Sequence, residues 1–116
     1  MSVAAAQAAS FYAEAIEGAA VWTIRDDGGF PAPKNGAGKR AMPFWSKESR
    51  ALRIIKNVPA YAEFETFRIE LSEFTEGWLP GLDRDGLQIG LNWSGGRAIG
   101  YDVEPNEVLD RLSVGR

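Results

Sequence analysis

The sequence holds neither cysteine nor histidine. Without cysteine there is no disulfide, no thiol nucleophile and no thiolate metal site. Without histidine, Ser-His-Asp catalysis and most zinc chemistry are excluded too. No run of about eighteen apolar residues occurs, so nothing reads as a membrane-spanning helix. The segment 1–18 carries no Lys or Arg and is interrupted by Glu14 and Glu17, so it does not read as a secretory signal, and the expected location is the cytoplasm. Internal repeats, low-complexity tracts and linkers are also missing. At 116 residues the chain is expected to form a single domain, 1–116.

What is present is ordinary for a folded protein: 45% hydrophobic and 25% charged residues. The net charge of −3 is unevenly spread. Residues 21–56 hold eight basic and three acidic side chains, and residues 57–116 hold five basic and eleven acidic ones. The middle is therefore basic and the C-terminal half acidic.

Ser2 reads as the cap of a helix over 3–17, with Ala8, Phe11, Tyr12, Ala15 and Ile16 on its buried side and Gly18 as its stop. Residues 20–25 read as a strand, and Asp26-Asp27-Gly28-Gly29 as a turn. The segment 30–34 would return as an edge strand or an extended arm, because Pro31 and Pro33 cannot donate to a ladder. The glycine-rich 34–40 loop is no phosphate-binding P-loop: Pro33 stands where glycine is required and Arg40 where Ser or Thr is. It reads as a flexible turn. Ala41-Met42-Pro43-Phe44-Trp45 is apolar, either buried or lining a groove. Ser46 then caps a helix over 47–57, with Ala51, Leu52 and Ile55 on one side and Lys47, Arg50, Arg53 and Lys56 on the other.

Phe67, Ile69 and Leu71 alternate with polar neighbours, as in a half-buried strand. Ser72 reads as the cap of the next helix, whose apolar stripe is Phe74, Trp78 and Leu82. Pro80 is expected to end or kink that helix, with Gly81 as terminator and Asp85-Gly86 as the following turn. A hairpin follows, with Leu87, Ile89, Leu91 and Trp93 on one face of its first strand and Ile99, Tyr101 and Val103 on one face of its second. Pro105 opens a last helix with Val108, Leu109 and Leu112 inward. The expected fold class is α+β, a mainly antiparallel sheet of about five strands with helices on one face.

Four pieces taken together, V-W-T-I-R-D-D-G-G from Val21, A-M-P-F-W-S from Ala41, the stretch 69–86 containing W-L-P-G-L-D-R-D-G, and Y-D-V-E-P-N-E-V from Tyr101, resemble the small bacterial proteins of domain-of-unknown-function family 2750. The resemblance runs from about residue 5 to 112 and supports the fold. It implies no activity, so no catalytic, cofactor or metal residue follows from it.

The leading functional reading is a non-enzymatic module that binds another protein, or a second copy of itself as a homodimer. Its expected surface is Phe30, Trp45, Lys47, Arg50, Arg53 and Lys56, where the basic helix face meets a tryptophan and an edge. The alternative is a small anionic-ligand binder, or a carboxylate-based hydrolase, with a pocket near Trp45 and the glycine loop. An acidic sequence pI near 5.0 argues against nucleic acid. Asp26 and Asp27, and Asp83 and Asp85, read as turn residues bonding their own backbone.

Overall fold

A computed structural model describes residues 2–114, apart from the side chain of Val114. Met1, Gly115 and Arg116, at the ends of the expected domain, lie outside the described residues. Helix α1 is Val3–Gly18. The Ser2 hydroxyl accepts from the Ala5 N–H and caps it, and Ala19 rather than Gly18 takes the left-handed conformation that ends it (φ 54°). Strand β1 is Ala20–Arg25 and β2 is Ala41–Phe44. Helix α2 is Glu48–Asn57, followed by a 3₁₀ turn, Pro59–Tyr61. Strand β3 is Glu65–Glu70, α3 spans 71–84, β4 is Gln88–Ser94, β5 is Ile99–Val103 and α4 is Pro105–Val114.

Among the described residues five strands form, but in two sheets rather than one, and the apolar segment 41–44 supplies a strand while 30–34 stays an extended arm, since Pro31 and Pro33 cannot donate to a ladder. Strands β1 and β3 pair antiparallel, from Ala20 opposite Glu70 to Arg25 opposite Glu65. Strand β4 lies between β2, which is parallel to it, and β5, which is antiparallel. The sheets touch at one bridge, where Trp22 and Trp45 exchange backbone hydrogen bonds of 2.8 and 2.7 Å. Two residues along, a continued ladder would need an N–H at Pro43, which has none, and the Pro43 carbonyl already accepts from the Thr23 hydroxyl at 2.8 Å. The single expected sheet therefore divides here.

Helices lie on both faces, which corrects the expectation of one. Val21, Phe44, Ile69, Ile89 and Leu91 point into a larger core shared with α1, α3 and α4. Ile24, Ala41 and Trp45 point into a smaller core closed by Ala51 and Ile54 of α2. On α2 it is Ile54 that is buried, while Leu52 is 50% exposed. Nor does Ser46 cap this helix. Lys47 holds that position without a side-chain bond, because the Ser46 hydroxyl is turned to Glu14 at 2.6 Å.

Helix α3 starts directly after β3, with Leu71 as its first residue, so Ser72 is inside it and does not cap it. It runs through Pro80 to Arg84 instead of stopping. A wider π turn, Phe74–Trp78, precedes the proline, with the Leu79 N–H bonded to the Phe74 carbonyl five residues back. One extra residue in that turn shifts the ladder where Pro80 lacks a donor. Gly86 (φ +73°) ends the helix: the Gly86 and Leu87 N–H groups reach back to the Asp83 and Leu82 carbonyls.

A bulge in β4 changes which face the strand presents. Asn92 is buried with φ 49°, and the β4–β5 register shifts between Leu91 and Ser94. Ile89 and Leu91 enter the larger core, but Trp93 enters the smaller one, against the simple alternation. Its indole lies on Gly90, where a Cβ would come within 2.4 Å of the ring.

Candidate functional site

The arm between β1 and β2 starts at a turn in which Asp26 and Gly29 exchange backbone bonds and the Asp26 carboxylate accepts from the Gly28 N–H at 2.8 Å. Beyond Pro33 the arm is shaped by one side chain, Asn35. Its Oδ1 accepts from the Ala37 and Lys39 N–H groups at 3.0 and 3.1 Å, while the Gly38 N–H bonds the Asn35 carbonyl at 2.9 Å. Its Nδ2 donates to Gln88 at 2.9 Å and to Asp102 Oδ2 at 3.0 Å, tying the loop to β4 and β5. The glycine loop is thus held in place rather than left as a free turn.

Between this arm and the β4–β5 turn lies a cleft of about 480 Å³. Trp93 and Asp102 stand at its inner side, with Trp93 Nε1–H donating to Asp102 Oδ1 at 2.8 Å. Tyr61, from the 3₁₀ turn after α2, and Ile99, from β5, add apolar surface. Burial pushes the Tyr61 phenol above its ordinary pKa and keeps it neutral. Lys34 from the arm and Arg97 from the hairpin turn bring positive charge to the same cleft. Both are exposed, and neither forms an ion pair among the described residues. Asp102 is the sole carboxylate among the described lining residues, and both its oxygens already accept hydrogen bonds.

The surface expected from the sequence is not assembled. Trp45 is fully buried: it stands at the bridge between the sheets, and its Nε1–H donates to the Trp93 carbonyl at 2.9 Å. It cannot anchor a partner. Arg50 is turned inward onto α1, with Nε and Nη2 each 2.9 Å from the Glu14 carboxylate and Nη1 bonded to Gln7. That guanidinium holds the Glu14 carboxyl below its usual range, assisted by the Ser46 hydroxyl. Asn92 completes the network, donating to the Gln7 carbonyl and Ser46 Oγ and accepting from the Ser46 N–H. Phe30 is half-buried, edge-on to Phe67 and Trp78 at 5.4 and 5.2 Å. Lys47, Arg53 and Lys56 remain exposed.

The family model described as a protein of unknown function, DUF2750, matches residues 8–112. The chain belongs to the DUF2750 family. No curated protein matches it in sequence. In this DUF2750 chain every described residue that shapes the cleft falls within the matched span. The sequence contained one usable signal for the site, Asn35-Gly36, which places a backbone-bonding side chain in the loop. Lys34, Tyr61, Arg97 and Asp102 lie in no motif. Trp93 read as core and is core, 5% exposed, but the bulge that turns it into the smaller core and sets it beside the cleft is not visible in the alternation. Among the described residues no three acidic side chains gather into a metal-holding group, and no described helix is long and apolar enough to cross a membrane.

Proposed function

We propose that the chain is a single-domain, non-enzymatic binding module that takes a small organic anion in the cleft between the glycine loop and the β4–β5 turn. The observation that carries this reading is the pairing of Lys34 and Arg97, two cations without ionic partners among the described residues, at a concave, partly apolar site of about 480 Å³. That volume lies within the range of small-molecule sites. Two-carboxylate hydrolysis is disfavoured because the cleft offers Asp102 alone, with both oxygens engaged. Titration of organic anions against tryptophan fluorescence tests the reading. A saturable change that Lys34→Ala or Arg97→Ala weakens about tenfold supports it, and a flat response across the panel refutes it.

A protein partner is the second reading, favoured by Leu52, 50% exposed on α2 beside exposed Arg53 and Lys56. Relative to the sequence expectation it loses Trp45 and Arg50. Charge reversal at Arg53 and Lys56 should abolish co-purification of a partner without lowering Tm. Capture that survives the reversal removes this reading.

A further inference from the structure

Resting on the anion-binding reading, we infer that the ligand of the cleft is an aromatic monocarboxylate and not a phosphate ester. Glycine-rich loops bind phosphate by pointing free N–H groups at it. In this loop the N–H groups of Ala37 and Lys39 are bonded to Asn35 Oδ1 and that of Gly38 to the Asn35 carbonyl, at 2.9 to 3.1 Å. Those three donors are closed to an anion, and the Gly36 N–H at the cleft wall can add to, but not replace, the side chains that meet the ligand.

Lys34 and Arg97 contribute two positive charges and Asp102 one negative, which leaves a single charge to be matched. A monoanion matches it, whereas a phosphate ester carries close to two charges at neutral pH. The guanidinium fork of Arg97 fits two oxygens of a carboxylate or of a phosphate alike, so the choice between them rests on charge.

The Tyr61 ring and the Trp93 indole border the same space, and Ile99, 63% exposed, stands at its rim. A flat ring covers such surfaces and keeps its edge contacts with the aromatic walls. Trp93 is held for this by its bond to Asp102 and its seat on Gly90.

The test is calorimetric titration of the intact chain with indole-3-acetate, hexanoate, inorganic phosphate and adenosine monophosphate, followed by NMR at the Trp93 side-chain N–H. Indole-3-acetate should bind and shift that resonance, about tenfold or more tighter than hexanoate, and both Lys34→Ala and Arg97→Ala should weaken it at least about tenfold without changing Tm. The two phosphates should leave the resonance in place. If a phosphate binds at the cleft more tightly than indole-3-acetate, or hexanoate binds equally well, the inference is overturned while the anion-binding reading stands. If none of the four moves the resonance, both fall.

Discussion

Among single residues, two carry large and different consequences. Glu14 is held below the usual glutamate range by Arg50, so its pair with Arg50 stabilises the fold above the ordinary carboxyl pKa of about 4.5. That stabilisation is lost as pH falls from there through the depressed folded-state value. Replacing Glu14 with Gln should cost about 1.5–3 kcal/mol at pH 7, and the gap to the parent should close in urea melts carried out progressively below pH 4.5. Gly90 is restricted by shape rather than charge. A methyl group there would stand 2.4 Å from the Trp93 indole, which is pinned by Asp102. Gly90→Ala should therefore cost about 1–3 kcal/mol and shift tryptophan emission, whereas Gly96→Ala, where a Cβ meets nothing, should leave that emission unchanged.

Among elements, helix starts and stops depended on what each capping side chain had elsewhere to bond. Ser2 bonds no other side chain among the described residues and caps α1. Ser46 has Glu14 and Asn92 within reach and abandons α2, leaving Lys47 at an extended cap position with no side-chain bond. Lys47→Ser should therefore stabilise the protein by about 1 kcal/mol, visible as a raised denaturant midpoint with an unchanged slope. The π turn of α3 follows the same logic. Pro80 is a local stop signal, but Phe74, Leu79 and Leu82 are all drawn into the larger core, and the helix accommodates the missing donor rather than give up that burial.

At the scale of the molecule, two sheets share one bridge, and a core lies on each side of the strands. The Trp22 and Trp45 amides cross from one sheet to the other and are flanked by buried residues of the smaller core. Their hydrogen exchange should be among the slowest in the protein and should track global stability. Fast exchange at this pair with slow exchange in β1–β3 would show that the sheets open separately. The cleft belongs to this scale too, since its parts come from the arm, the 3₁₀ turn and the hairpin, brought together only when β5 closes on β4.

The sequence by itself determined what depends on neighbours along the chain. It held the Ser2 cap, the stripe of α1, the Asp26 turn, the Asp85-Gly86 turn, the strands β1, β3, β4 and β5 but not β2, the α+β class and the family resemblance. It also removed cysteine and histidine chemistry outright. Only the tertiary structure decided where Trp45 and Arg50 point, why Trp93 leaves the face of Leu91, and that Asn35 and Asp102 bind each other from 67 positions apart. These depend on partners distant in sequence, on one missing N–H at Pro43 and on one left-handed residue at Asn92, and neither periodicity nor propensity encodes which partner a side chain will meet.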